Sequence, residues 1–431
     1  MGRVLLVFNG DYSSLYIKTS QATKTIRVRT SFSFAFQQFA AAARAPQPSL
    51  ANNNMSNKAF EPAQLGPLTL TNHIVMAPMT RNRALGNIPN ELMAEYYRQR
   101  ATAGLIITEG TSPSADGLGY ARIPGLFTQE QATNWQRITE TVHHHGGHIF
   151  IQLMHGGRVF HPLNLPEGAE GIAPSAVVAK GQMWTDQQQM QDQPTPRALR
   201  LEEIAKVRDE YVNSAKLALE AGFDGVELHG ANGYLLEQFL NPASNQRTDE
   251  YGGSVQNRAR FVLEVTRAVA EAIGADRTGI RLSPWGVFND MANYPEIDET
   301  YAYLAEELQK IGVVYLHLVD HEAMGAPAVP AKTVDIIREK FTNKLILSGG
   351  YTTLEQIEKV LESGRADLVA IGRPFISNPD LVERLKTGQP LAESDQATYS
   401  APGPNGFADG YTDYPTADGQ PAGTFSPSYE A

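Results

Sequence analysis

Three polar side chains that could act on one small substrate fall within six residues of the chain. They are His229, Asn232 and Tyr234, and Gly230 and Gly233 interrupt the backbone between them. Glycine permits the irregular turns that bring neighbouring side chains into one small volume. The imidazole and the carboxamide can each donate a hydrogen bond to an oxygen, and the phenol can give up a proton. The trio therefore predicts chemistry in which an oxygen is held and a proton is delivered.

The element that must position this trio is a short run typical of a buried strand, which ends at His229. Similar runs recur from residue 74 onward, and segments with helical spacing lie between them. This alternation predicts an α/β fold, an eight-stranded parallel (β/α)8 TIM barrel in a single domain. An open doubly wound sheet is the alternative, but no G-x-G-x-x-G joins a strand to a helix. The predicted strands are 74–78, 105–110, 149–155, 225–229, 278–284, 313–320, 344–350 and 368–374.

Two connections are longer than ordinary spacers. Residues 156–200 follow the third predicted strand, and residues 234–253 extend the loop after the fourth. Long loops on the carboxyl face of a barrel usually form lids or binding walls. The tail from Pro390 onward contains Tyr399, Tyr411 and Tyr414, which predicts a segment held by aromatic contacts.

The composition of the whole chain restricts its class. It has 431 residues, a formal net charge of −11 at pH 7 and no cysteine. The acidic body argues against nucleic acid and anionic membranes as partners, and no apolar run is long enough to span a bilayer. The lack of cysteine excludes disulfides, iron–sulfur clusters and thiolate metal sites.

The first 54 residues differ from the rest. They contain scattered basic residues, a single acidic residue and many Ser, Thr, Ala and Gln, which is the composition of an organellar transit segment. The alternative is a disordered upstream extension. We therefore divide the chain into a leader or extension, 1–54, and the barrel with its carboxyl-terminal tail, 55–431. The expected location is the cytoplasm, or an organelle if the leader is a transit segment.

The ends of other predicted strands indicate a cofactor. Gly349 and Gly350 follow strand seven, and Gly372 and Arg373 follow strand eight, so backbone N–H groups and one cation could hold a phosphate there. Gln152 and Arg281, at strands three and five, suit the edge of a flat heterocycle that becomes negatively charged. These groups together predict flavin mononucleotide (FMN) across the mouth of the barrel.

Several longer motifs resemble those of the old yellow enzyme family of flavin-dependent ene-reductases, over about residues 58–416. Because Thr and not Cys stands at position 80, the resemblance is to the classical branch. The motifs are Ala77–Arg81 (APMTR), Thr108–Gly110 (TEG), Gln152–Leu153, His229–Ser254 (HGANGYLLEQFLNPASNQRTDEYGGS), Arg281–Pro284 (RLSP), Gly372–Pro379 (GRPFISNP) and Gly410–Pro415 (GYTDYP).

The resemblance implies a role for each matching position. His229 and Asn232 would hold the carbonyl oxygen of the substrate and stabilise negative charge on it, as in an oxyanion hole. Tyr234 would protonate the α-carbon of an alkene, and Tyr399 would close over the substrate. Met154 replaces the aromatic residue of many relatives in the pocket wall. The residues implied in FMN binding are Pro78, Met79, Thr80, Gly110, Gln152, Arg281, Gly349, Gly350, Gly372 and Arg373.

The same resemblance implies an enzyme that uses NAD(P)H to reduce FMN and then reduces activated alkenes such as enones, enals, maleimides and nitroalkenes. NAD(P)H and the alkene would bind in the same pocket one after the other, which predicts ping-pong kinetics. The expected partners are small molecules, with no nucleic acid or membrane, and the protein is expected to be a monomer or homodimer. The alternative is a non-redox barrel isomerase or lyase acting on a phosphorylated substrate, which would need a catalytic lysine at a strand end.

Other conspicuous residues favour structural interpretations. The histidine-rich segment 143–148 is predicted to be a surface turn and not a metal site. Arg81 and Arg83 could be ion-pair partners or substrate contacts. Glu227, inside the fourth strand, is predicted to be a buried, hydrogen-bonded support.

Overall fold

A computed structural model describes residues 57–420 and two strands, Leu15–Thr19 and Ala22–Ile26, which pair antiparallel with each other. The rest of the leader, 1–54, lies outside the described residues. Its predicted role as a transit segment or extension therefore stays a prediction.

The described body is built on a closed barrel of eight parallel strands, so the predicted fold class is confirmed. Each predicted strand is present, and most observed strands are a few residues shorter at the carboxyl end. In chain order they are β1 (Ile74–Met76), β2 (Leu105–Thr111), β3 (Ile149–Leu153), β4 (Gly225–Gly230), β5 (Thr278–Leu282), β6 (Tyr315–Val319), β7 (Lys344–Ser348) and β8 (Leu368–Ile371).

Helices surround the barrel because each of the longer ones carries an apolar face, and several have capped ends. Thr128 and Thr353 form capping boxes with the glutamine three residues later, and Gly312 ends its helix at φ 83°. The helices are α1 (Glu91–Arg98), α2 (Gln129–His144), α3 (Leu201–Glu220), α4 (Leu235–Leu240), α5 (Val255–Ile273), α6 (Ile297–Ile311), α7 (Ala331–Lys340), α8 (Leu354–Glu362), α9 (Arg373–Ser377) and α10 (Leu381–Thr387).

Most of the core lies in two layers, and a third, small apolar cluster contains Met154 and Tyr234. The larger layer lies between the barrel and its helices, and the smaller layer fills the barrel interior. An antiparallel hairpin, Ala63–Leu65 with Leu68–Leu70, contributes buried Leu65 and Leu70 to the interior layer. Because the strands are buried along both faces, they read as continuous apolar runs in the sequence. None of the helices within residues 57–420 is long and apolar enough to cross a membrane.

The two long connections are more ordered than the sequence indicates. Within 156–200 the chain forms a hairpin, Gln182–Thr185 with Gln189–Asp192, and Ile172–Ala173 pairs with Arg197–Ala198. The segment 234–253, predicted as loop, begins with the short helix α4. All six residues of α4 are buried, so apolar packing keeps this helix in place despite its length.

The tail is fixed to the mouth of the barrel. Tyr411 is fully buried and stacks on Tyr96 with ring centroids 4.1 Å apart, which agrees with the predicted aromatic anchoring. Arg81 donates to the carbonyl oxygens of Tyr399 and Gly410, at 2.9 and 2.7 Å. Arg83 donates to Thr398 and Phe407 in the same way. Both arginines therefore hold the tail.

The histidine-rich segment forms the end of α2 and the turn after it. His143 Nε2 lies 2.9 Å from Asp224 Oδ2, and His148 Nδ1 is 3.8 Å from the same oxygen. Within residues 57–420 no group of three or more metal-binding side chains could hold an ion. These contacts agree with the predicted structural role.

Candidate active site

A cavity of about 1040 Å³ opens at the carboxyl ends of the strands. Such a volume can accommodate a flat cofactor together with a small substrate. Every predicted site residue except Gly110 lines it, namely Pro78, Met79, Thr80, Gln152, His229, Asn232, Tyr234, Arg281, Gly349, Gly350, Gly372, Arg373 and Tyr399.

Gly110 lies behind the wall. A Cβ atom at this position would be 2.5 Å from Met154 Sδ, and Met154 does line the cavity. The glycine therefore makes room for the thioether, which is a packing reason for its presence. The implied contact between Gly110 and the cofactor stays a prediction.

His229 and Tyr234 form one side of the cavity, with ring centroids 4.8 Å apart in an edge-to-face arrangement. His229 Nδ1 accepts a hydrogen bond from the Ala231 N–H at 3.3 Å. In the neutral ring, Nε2 then carries the hydrogen and can donate. Burial, together with the charge of Arg281, holds the pKa of His229 well below its usual value. The imidazole is therefore a neutral donor at physiological pH.

Asn232 stands beside them in a left-handed conformation, at φ 59°. Its backbone N–H donates to Ser283 Oγ at 2.9 Å, and its carbonyl oxygen accepts from Asn289 Nδ2 at 2.8 Å. Its side-chain Oδ1 is buried without a hydrogen-bond partner in the described part of the chain. A buried amide in this state is well placed to bind a ligand group.

Tyr234 is 7% exposed, and its hydroxyl donates to the Tyr120 hydroxyl at 3.1 Å. Burial raises the pKa of Tyr234 well above 10, so the phenol stays protonated at neutral pH. Tyr120 was not predicted from the sequence. It belongs to the loop after β2, and its place on the carboxyl face is the signal that could have identified it.

The neighbouring strands β3 and β5, on either side of β4, carry the predicted flavin-edge residues. Gln152 Nε2 donates to Glu227 Oε1 at 2.8 Å, which leaves its carbonyl oxygen available. Arg281 Nε is buried and has no hydrogen-bond partner in residues 57–420. Burial lowers the pKa of Arg281 and the charge of Glu227 raises it, with a net decrease. An unsatisfied guanidinium N–H beside a free amide oxygen suits a ring edge with both donor and acceptor atoms.

Glu227 is buried and hydrogen-bonded, as predicted, and it supports Gln152. It accepts hydrogen bonds from Gln152, from the Tyr315 hydroxyl at 3.1 Å and from His317 Nδ1 at 2.8 Å. Burial alone would raise the pKa of Glu227, but His317, Arg281 and these hydrogen bonds hold it below its usual value. Burial in turn lowers the pKa of His317, so we take the pair as a carboxylate and a neutral imidazole.

The residues that are predicted to bind the phosphate lie at the ends of the neighbouring strands β7 and β8. Gly350 has a φ of 77°, a conformation that favours glycine, and the Arg373 guanidinium donates to the Ala323 carbonyl oxygen at 3.0 Å. The backbone at Gly350 and the guanidinium of Arg373 thus lie at one end of the cavity. The residues present fit FMN: Arg281 and Gln152 would hold the edge of its ring, and the groups after β7 and β8 would hold its phosphate.

Two further residues of the cavity wall were missed in the sequence. Phe288 and His321 stack with ring centroids 5.6 Å apart, and they follow β5 and β6. Burial lowers the pKa of His321 to about 4, so its ring is neutral at physiological pH. Only the position of these residues after strand ends could have indicated them.

Comparison with known proteins agrees with the predicted fold and family. Residues 58–392 match the family model described as the NADH:flavin oxidoreductase / NADH oxidase family. Chanoclavine-I aldehyde reductase from Penicillium roqueforti is 43% identical, over 83% of this chain and 96% of that protein. A probable flavin mononucleotide-dependent alkene reductase from Leishmania infantum is 39% identical, over 83% and 96%. The structure of morphinone reductase in complex with tetrahydroNAD matches with a TM-score of 0.79 and 42% identity, over 84% of this chain and 98% of that one.

Proposed function

Because the chain belongs to the NADH:flavin oxidoreductase / NADH oxidase family, which includes the old yellow enzymes, we propose that His229, Asn232 and Tyr234 carry out its alkene chemistry. The protein is an FMN-dependent oxidoreductase that uses NAD(P)H to reduce C=C bonds. Family membership favours this function over the alternative of a barrel isomerase or lyase. The convergence of the three side chains on one cavity wall is the observation that carries the proposal.

His229 and Asn232 bind the carbonyl or nitro oxygen of the alkene. The His229 Nε2–H and the Asn232 side-chain amide donate to this oxygen, so they polarise the double bond and stabilise the negative charge that develops on it. The Ala231 N–H holds the His229 ring, and Ser283 holds the backbone of Asn232, before the substrate arrives. Enones, enals, maleimides and nitroalkenes have the required oxygen.

FMN, when bound and reduced by NAD(P)H, would supply a hydride for the β-carbon. Gln152 and Arg281 would hold the edge of its ring, Thr80 would hydrogen-bond it, and the groups after β7 and β8 would hold its phosphate. Tyr234 delivers a proton to the α-carbon from the side on which His229 and Asn232 hold the oxygen. Its high pKa keeps the proton available until carbanion character develops.

The nicotinamide and the alkene use the same cavity in turn, and Tyr399 forms part of its outer wall. This arrangement gives ping-pong kinetics. The sequence-based expectations of a monomer or homodimer, located in the cytoplasm or in an organelle, remain part of the proposal.

The test compares the two half-reactions of Tyr234→Phe. Anaerobic reduction of the enzyme-bound FMN by NADPH and by NADH should stay within about twofold of wild type, whereas reoxidation by an enone should slow by about 10²-fold or more. Equal losses in both half-reactions would contradict the role of Tyr234. A purified protein that is colourless and does not take up FMN would contradict the proposed function itself.

A further inference from the structure

Glu237 is a buried carboxylate close to the active site with no role in the chemistry above. It lies in α4, three residues after Tyr234, is 4% exposed and does not line the large cavity. Three uncharged donors converge on it. The Gly233 N–H donates to Oε2 at 2.6 Å, and the hydroxyls of Ser283 and Tyr301 donate to Oε1 at 2.6 and 3.0 Å.

The loop that these contacts hold has an uncommon backbone. Asn232 and Gly233 are two successive residues in the left-handed region, at φ 59° and 76°. A non-glycine residue seldom adopts this conformation, and it persists only where surrounding contacts fix it. The orientation of the Asn232 amide, and of Tyr234 after it, therefore depends on what binds the peptide groups of this turn.

The backbone N–H groups of Asn232 and Gly233 are both connected by hydrogen bonds to the Glu237 carboxylate. Gly233 donates to Glu237 directly, while Asn232 donates to Ser283 Oγ, whose own hydrogen is donated to Glu237. The carbonyl oxygens are bound as well, Gly233 by Gln238 Nε2 at 2.7 Å and Asn232 by Asn289. Since Ser283 follows β5, this network joins the loop after β4 to the strand that carries Arg281.

We propose that Glu237 is a positioning residue for the alkene half-reaction, which holds the Asn232 amide and the Tyr234 hydroxyl over the cavity through Gly233 and Ser283. This inference rests on the proposed function and deepens it. Glu237 touches neither the substrate nor the cofactor.

The chemistry of the contact explains why a carboxylate is needed. A carboxylate only accepts hydrogen bonds, so it can satisfy three donors at once. A glutamine of the same shape would turn an NH2 group towards at least one of them, and the turn would shift. Displacement of a catalytic group by about 1 Å can reduce a rate by about 10²-fold. Burial raises the pKa of Glu237 to about 7, although the hydrogen bonds from Ser283, Gly233 and Tyr301 lower it, so assays at pH 8 examine mainly the ionised form.

The experiment compares the FMN-loaded holoenzymes of wild type, Glu237→Gln and Ser283→Ala. We expect FMN content and anaerobic reduction by NADPH to stay within about twofold of wild type in both variants. Reoxidation by 2-cyclohexenone should slow by at least about tenfold, and binding of a phenol should weaken, because the Asn232 amide contributes to that site. The double variant should lose no more than the worse single variant, since both substitutions break one network.

Glu358→Gln is the matched control. Glu358 is also a 4% exposed carboxylate that accepts a backbone N–H, from Ala59 at 3.0 Å, but it lies away from the cavity. Its variant should reoxidise at the wild-type rate. Should Glu237→Gln fail to fold, Ser283→Ala tests the same path.

Two outcomes would overturn the inference while the proposed function stands. One is reoxidation of Glu237→Gln and Ser283→Ala at the wild-type rate, and the other is an equal loss in both half-reactions. Failure of an enone to reoxidise the wild-type enzyme would instead overturn the proposed function, and this inference with it.

Discussion

The hydroxyls of Tyr234 and Tyr120 are joined by a hydrogen bond of 3.1 Å, with Tyr120 behind the wall from which Tyr234 faces the cavity. Either phenol can donate to the other. When Tyr234 turns its hydrogen towards a substrate, Tyr120 can donate in return and stabilise the oxygen that is losing its proton. Tyr120 therefore supports Tyr234 in its proposed role as the proton donor.

Tyr120→Phe should slow reoxidation of the enzyme by an enone and leave reduction by NADPH unchanged. The loss of one hydrogen bond of about 1 kcal/mol predicts a slowing of about fivefold, less than for Tyr234→Phe. Stopped-flow absorbance of the flavin measures both steps. Tyr211→Phe, at a buried phenol that does not line the cavity, is the control. An unchanged reoxidation rate in Tyr120→Phe would show that Tyr234 acts alone.

His229→Ala should weaken the binding of phenols and enones by about 1 to 2 kcal/mol, which is about fivefold to thirtyfold, because one of two donors to the ligand oxygen is lost. Titration of the flavin absorbance gives the dissociation constant. His144→Ala, at an exposed histidine near the end of α2, should bind like wild type. If affinity does not change in His229→Ala, then His229 does not belong to the oxygen site.

Ionisation of His229 or Tyr234 should not change alkene binding between pH about 7 and 9. The pKa of His229 lies well below 6.5 and the pKa of Tyr234 well above 10, so the first stays neutral and the second stays protonated over this range. The pH dependence of the phenol dissociation constant can be measured with a phenol that does not ionise there. A titration midpoint in that window that disappears in His229→Ala would contradict this assignment.

Gly110→Ala should alter substrate affinity without removing a polar contact. The added methyl would come within 2.5 Å of Met154 Sδ, so the thioether must move, and it lines the cavity. We expect KM for bulky enones to change more than KM for 2-cyclohexenone. Met154→Ala in the same chain should restore the wild-type order, because it removes the clash. Loss of FMN from Gly110→Ala that Met154→Ala does not reverse would instead support the contact with the cofactor implied by the family.

His155 should make the protein less stable in acid. Burial lowers the pKa of His155 to about 3, while the unfolded chain binds a proton near 6.5. Between these values the unfolded state binds more protons, so the free energy of unfolding falls as pH decreases, by about 1.4 kcal/mol per pH unit. His155→Asn should lack this contribution. Denaturant unfolding at pH 7, 6 and 5 would detect it, and a wild-type-to-variant difference that is constant with pH would contradict it.

The sequence predicted those parts of the molecule that depend on local pattern. The strands could be located because each is buried on both faces, and His229, Asn232 and Tyr234 because they are adjacent in the chain. Tyr120, Phe288 and His321 could not be identified in this way, since they meet the site only through the folding of separate loops. The helix α4 was also missed. It is buried on all sides, so its sequence does not show the separate polar and apolar faces that identify a surface helix.

The arginines that hold the tail bind it through main-chain oxygen atoms at Thr398, Tyr399, Phe407 and Gly410. Main-chain oxygens are present whatever side chains the residues carry, so mutation can alter much of the surface of this segment without detaching it. Proteolytic removal of the segment would be different, because two buried cations would lose most of their acceptors at once. We therefore expect the side chains of this tail segment to tolerate extensive variation. We expect a shortening of the chain that removes the segment to inactivate the protein.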